Sequence, residues 1–260
     1  MAFVMTFLFL GLTCASVMTQ LDSRKPHLEV CLSPALLHLY DTRNCIVVII
    51  DVFRATSTIA AALHNGAREI IPVASVKECI DLGCSLPGSL TAGERDGKIA
   101  PGLAHGNSPM EYPADFVKDK TLILTTTNGT RLLHMVEGAS EIITGSFLNL
   151  SAVCDYLLRR KQNVLLACAS WKDRFNLEDT LFAGAVAHRL SDEFHTNCDS
   201  VRASKILYQQ ASGNLFDFIR ESSHFLRLSA FGLEKEMEYC MTPDLHPVVP
   251  VLKGDRLKAQ

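Results

Sequence analysis

The chain has 260 residues, 48% hydrophobic and 20% charged, enough to bury the core of one large or two small domains, and the composition is neither fibrous nor disordered. A formal net charge of -3 gives no general basic field, so no nucleic-acid partner is expected. The nine cysteines include no C-x-x-C pair and read as buried thiols in a reducing compartment, which points to a cytoplasmic protein.

Residues 1–17 form an apolar extension, Phe3 to Leu12 followed by the small residues Cys14, Ala15 and Ser16. A signal peptide has this look, and export is the alternative localisation, but no Lys or Arg precedes Arg24. The run is short for a membrane span, so no stable span is expected, and Met18 offers a second in-frame start.

Cys45 to Ile50 is a buried-strand run that ends in the polar loop Asp51-Val52-Phe53-Arg54-Ala55-Thr56-Ser57-Thr58, followed by an alanine-rich helix pattern from Ile59 to Leu63. The stretch from Pro87 to Pro113 is rich in glycine and proline and too long for a routine connector, which marks it as a functional loop. It carries Glu94-Arg95 and Asn107-Ser108. A second strand run, Leu122 to Leu124, stops in Thr125-Thr126-Thr127-Asn128-Gly129-Thr130-Arg131 before a helix start. Backbone N–H groups at a helix N-terminus, hydroxyls and a guanidinium would then form an anion cradle. An ordinary turn rich in capping residues has the same composition.

Both units leave by a similar exit, Gly66-Ala67-Arg68-Glu69-Ile70-Ile71 and Gly138-Ala139-Ser140-Glu141-Ile142-Ile143, which suggests an internal repeat. A third unit runs from Val164 to Cys168, through a polar loop containing Trp171, Lys172, Arg174, Glu178 and Asp179, into a small-residue helix at Ala183 to Ala187. Repeated strand-loop-helix units predict an α/β protein, a three-layer α/β/α sheet with a duplicated core and ligands at the strand C-termini. Helices are predicted over Asp199 to Gln209 and Leu215 to Leu228, and the proline-containing tail Pro247 to Leu252 reads as a late edge strand.

Six segments, Asp51 to Thr58, Ala92-Gly93-Glu94-Arg95, Gly106-Asn107-Ser108-Pro109, Thr125 to Arg131, Gly145-Ser146-Phe147-Leu148-Asn149 and Leu177-Glu178-Asp179-Thr180, resemble in order those of the 2-phosphosulfolactate phosphatase (ComB-like) family. The similarity runs from about Glu29 to Val251, within a predicted domain of residues 28–252 made of two similar halves. The resemblance implies a Mg²⁺-dependent phosphatase that converts 2-phospho-3-sulfolactate to 3-sulfolactate and phosphate, a step of coenzyme M biosynthesis. Phosphatase action on another small phosphorylated acid, or anion binding without turnover, are the alternatives. Homo-oligomerisation is left open.

The residues suit such a ligand. A small phosphorylated partner with further acidic groups needs converging cations and neutral donors, and Arg54, Arg95, Arg131, Lys172 and Arg174 are the cations in the loops. Thr56, Ser57, Asn107, Ser108, Thr127, Asn128, Gly129 and Thr130 supply hydroxyl, amide and backbone groups. Monoester hydrolysis is very slow unaided and calls for a metal or a nucleophile. Magnesium prefers carboxylates, and Asp51, Glu94, Glu178 and Asp179 are the loop acids, although Glu178 and Asp179 equally suit the N-terminus of the helix they precede. Asp51, Arg54, Glu94 and Arg131 are the expected catalytic set. Two rival nucleophiles remain: Asp51 itself, and Cys168, which precedes Arg174 at C-x5-R spacing. Of the histidines, His105 and His224 are best placed for acid/base work.

Overall fold

The computed structural model describes residues 25–136 and 138–260, so the apolar extension 1–17 lies outside the described residues. Ten strands, numbered in chain order, form one sheet in the order β1 (Leu28–Cys31), β8 (Asn163–Cys168), β2 (Cys45–Ile50), β7 (Glu141–Gly145), β9 (Pro250–Lys253), β10 (Arg256–Ala259), β3 (Glu69–Pro72), β6 (Thr121–Thr125), β4 (Leu90–Arg95) and β5 (Lys98–Ile99). β1, β8, β2 and β7 are parallel to one another, and so are β3, β6 and β4. The β9–β10 hairpin joins these two blocks through antiparallel pairing with β7 on one side and β3 on the other.

All six residues of β2 are buried, as expected of a parallel strand covered on both faces. Its side chains alternate between two cores. Ile46, Val48 and Ile50 pack beneath α5 (Leu150–Arg160) and α6 (Leu177–Arg189), whereas Val47 and Ile49 join the core around α1 (Ala55–His64) and α4 (Gly129–Met135). Each of these Ile and Val side chains contributes about 1.5–3 kcal/mol relative to exposure. The result is the three-layer α/β/α architecture. α1 is its most enclosed helix: every residue from Ala55 to Leu63 is buried, and the small side chains of Ala60, Ala61 and Ala62 let it touch strands of both blocks.

The two similar segments change blocks in opposite senses. The unit β2–α1–β3 carries the chain from the first block to the second, and β6–α4–β7 carries it back. The two loops entering α1 and α4 meet as a consequence, and the carboxylate of Asp51 lies against Gly129.

Three predicted elements differ in the structure. The stretch from Pro87 to Pro113 is not an open loop, because it contains β4 and β5, with β4 in parallel register beside β6. β4 is only partly buried and is interrupted by Gly93, which hides its pattern. That glycine is required by close approach: a Cβ there would lie 2.2 Å from the Thr125 carbonyl oxygen. The helix predicted over Leu215 to Leu228 is two, α8 (Leu215–Ile219) and α9 (Ser223–Ser229). Ser222 separates them by capping α9, its Oγ accepting the Phe225 N–H at 3.2 Å. The tail is not an edge strand. β9 sits in the middle of the sheet, and Pro250, as its first residue, removes no ladder donor from the strand interior.

The remaining helices are α2 (Val76–Ser85), α3 (Ala114–Val117), α7 (Asp199–Ala211, matching the predicted helix) and α10 (Glu234–Cys240). Among the described residues no helix is long and apolar enough to cross a membrane.

Candidate active site

The loops following β2, β4, β6 and β8 converge on one cleft, closed on a further side by α9, with about 490 Å³ of space including its open mouth. Asp51 stands at the end of β2 on its floor, 8% exposed. Burial first, and then the negative charge of Glu94, push its carboxyl up to about 7. The loop that presents Asp51 is held from inside. The Asp51 N–H donates to Thr56 Oγ1 at 3.1 Å, and Ser57 Oγ donates to the Val52 carbonyl at 2.9 Å. Both hydroxyls therefore shape the turn into α1 and are buried behind the cleft.

Glu94 joins two loops. Its Oε1 accepts the Thr127 N–H at 3.0 Å and the Thr127 hydroxyl at 2.9 Å, and its Oε2 accepts the Gly97 N–H at 3.0 Å. Thr127 and Asn128 line the cleft, whereas Thr130 is spent on the turn, donating from Oγ1 to the Thr126 carbonyl at 2.9 Å. Asn107 lines the wall and its Oδ1 is buried without a hydrogen-bond partner. Its neighbour Ser108 caps a short helical turn, accepting the Met110 N–H at 3.4 Å.

Glu178 and Asp179 open α6 and lie behind the cleft, fully buried. Asp179 clamps two loops: one oxygen accepts the Val52 N–H at 2.9 Å and the other the Ser170 N–H at 3.1 Å. Burial, then Glu178 and Asp51, hold its carboxyl well above the usual range. Glu178 Oε1 lies 2.5 Å from His224 Nδ1, and its Oε2 has no partner. On the other side of that imidazole, the Arg227 guanidinium lies 2.6 Å from Nε2. Since arginine can only donate, Nε2 accepts and Nδ1 carries the proton directed at Glu178.

The loop arginines divide. Arg54 lines the cleft, but its guanidinium is paired with Glu236 of α10 and donates to the Gly97 carbonyl at 3.2 Å. Arg95 donates to the Glu94 carbonyl and to Thr125 Oγ1, and Arg131 pairs with Asp173 at 3.1 Å. These two face an adjoining groove with Thr126 and His134. Lys172 does reach the cleft, alongside Trp171, and neither it nor Arg227 forms an ion pair among the described residues. Arg174 is exposed.

The family model described as 2-phosphosulpholactate phosphatase matches residues 31–255. The chain belongs to that family. A protein of Caldanaerobacter subterraneus subsp. tengcongensis named probable 2-phosphosulfolactate phosphatase is 40% identical over 231 residues, which cover 84% of this chain and 95% of that protein. Proteins with the same name from Thermotoga petrophila (43% over 205 residues, 79% and 88% covered) and Clostridium beijerinckii (32% over 223 residues, 84% and 93% covered) are also similar. Membership places the chain among the phosphoric monoester hydrolases.

For a 2-phosphosulfolactate phosphatase family member the cleft has a fitting donor set for magnesium, which takes few protein carboxylates and completes its shell with water and phosphate. Asp51, Glu94 and Asn107 all line the cleft, and the Asn107 Oδ1 is a buried acceptor without a hydrogen-bond partner. Among the described residues no three or more His, Cys, Asp or Glu side chains form a metal cage. Cys168 is 1% exposed, and burial holds its thiol well above the ordinary range, so it is no thiolate nucleophile. Arg227 carries no motif that singles it out in the sequence. His224 stands out only as Ser-Ser-His at a helix start, and His105 packs its ring on Phe116.

Proposed function

We propose that the protein is a magnesium-dependent phosphatase that hydrolyses 2-phospho-3-sulfolactate to 3-sulfolactate and phosphate. The observation that carries this reading is the convergence of Asp51 and Glu94 with Lys172 and Arg227 in one cleft, carboxylates and unpaired cations side by side, in a chain of this family. Asp51 and Glu94 would hold the metal, which when bound supplies Lewis-acid stabilisation of phosphoryl charge and lowers the pKa of a bound water. Asp179 keeps the Asp51 loop and the Trp171-Lys172 loop in fixed relation through its two backbone contacts. Glu94 fixes Thr127, whose neighbour Asn128 offers an amide to the ligand. Lys172 and Arg227 neutralise the ligand's charge, and Phe53, Trp171 and Leu228 limit water around it.

The product belongs to sulfolactate metabolism, with coenzyme M formation one destination. The described cysteines are free thiols, seven of them buried or partly buried, which supports a cytoplasmic setting. The test is phosphate release from 2-phosphosulfolactate by the purified full chain with Mg²⁺ and with a chelator. Release that requires Mg²⁺ supports the reading. No release with Mg²⁺, while 3-sulfolactate still binds, would leave an anion-binding protein; faster release from another small phosphorylated acid would replace the substrate.

A further inference from the structure

The single tryptophan of the chain, Trp171, stands in the cleft with a cation close to its ring on each of two counts: Lys172 Nζ lies 4.6 Å from the ring centroid and the Arg227 guanidinium carbon 4.5 Å. The sequence draws attention to Arg54, Arg95 and Arg131, but all three are engaged by protein groups. Arg227 differs. One of its NH2 groups is anchored on His224 Nε2, its Nε is buried without a partner, and it forms no ion pair among the described residues. Behind it the buried contact from His224 to Glu178 fixes the imidazole that receives Arg227. A guanidinium held in this way, over an indole and with donors to spare, is preorganised for a planar or tripod oxyanion.

The cleft is lined by three carboxylates, Asp51, Glu94 and Asp96, and two of its cations, Lys172 and Arg227, meet at Trp171. With Asp51 and Glu94 assigned to the metal and the phosphoryl group, these two cations are left for the further acid groups of the ligand.

We propose that Arg227 and Lys172, on either contact with Trp171, form a subsite for the non-phosphoryl acid groups of the substrate, sulfonate and carboxylate in 2-phosphosulfolactate, with the phosphoryl group toward Asp51 and Glu94. The proposal rests on the phosphatase reading and adds the residues that select for an acidic substrate. His224 and Glu178 are positioning residues that act through Arg227.

Because Trp171 is the only tryptophan, its fluorescence reports the subsite without turnover. Wild-type protein in Mg²⁺ is titrated with 3-sulfolactate and, separately, with inorganic phosphate. The two anions are expected to bind together, with saturating phosphate shifting the Kd for sulfolactate less than threefold. Arg227→Met, checked for folding by its thermal transition, is expected to weaken sulfolactate at least tenfold and phosphate less than threefold, with Arg227→Lys between. Direct competition between the two anions in the wild type, or equal weakening of both by Arg227→Met, overturns the subsite. The wild-type competition decides the matter even if the variant fails to fold. Phosphate release from 2-phosphosulfolactate by wild type alongside such a result leaves the phosphatase reading standing, whereas sulfolactate binding at Arg227 without phosphate release removes that reading and retains the subsite.

Discussion

His246 gives the protein a calculable sensitivity to mild acid. It follows α10, the helix whose Glu236 pairs with Arg54, and it is 7% exposed. Its Nε2 lies 2.7 Å from the Tyr239 hydroxyl, its Nδ1 is buried without a partner, and its ring lies 4.8 Å from that of exposed His64. Burial, and then the repulsion of His64, push its pKa down to about 4 from 6.5. A base whose folded pKa is depressed stabilises the fold fully above the unfolded value, and that contribution is lost as pH falls through 6.5 toward 4. At pH 5 the ratio of the proton-binding polynomials of the unfolded and folded chains is roughly 30, equivalent to about 2 kcal/mol, an upper bound for one site. The perturbation is the double variant Tyr239→Phe/His246→Phe, since replacing both partners leaves no stranded polar group. Urea unfolding of wild type and variant at pH 7.5 and pH 5.0 isolates the site, because groups common to both proteins cancel in the difference. The wild type is expected to lose about 1–2 kcal/mol more than the variant between these pH values. Equal losses would refute the assignment of a neutral, buried His246.

Three substitutions probe the site. Asp51→Asn is expected to reduce Mg²⁺-dependent phosphate release at least a hundredfold while raising the melting temperature of the chelator-treated protein at pH 8, since it removes a buried carboxylate crowded by Glu94; retained turnover would end its metal role. Gly129→Ala would place a Cβ 2.8 Å from Asp51 Oδ2 and 3.0 Å from the Ala55 Cβ, so activity should fall at least tenfold with a loss of roughly 1–3 kcal/mol in urea unfolding. Cys168→Ser should keep phosphate release within a few-fold of wild type, measured on protein shown to be folded, because the buried thiol is no nucleophile.

The local signals held where the sequence has strong periodicity. β2 is an unbroken apolar run and β6 an apolar centre between two buried threonines because both faces of each are covered, and the polar stops after them are where the cleft forms. Asp51, Glu94, Asn107, Thr127, Asn128 and Lys172 reach that cleft from motifs visible in the chain. The motif at Leu177 to Thr180 is equally visible, but its acids turn inward to hold the loops together.

By itself the sequence determined the α/β class, the polar loops at strand ends and the family. Tertiary structure decided which charges are free. Arg54, Arg95 and Arg131 are each paired by groups contributed from elsewhere or by their own loop, whereas Arg227 arrives from a late helix with an inconspicuous pattern and is oriented by a histidine and a buried glutamate. Periodicity reports which face of an element is buried, but the free energy of a charge depends on partners brought close by long-range packing, and that information resides in the assembled sheet.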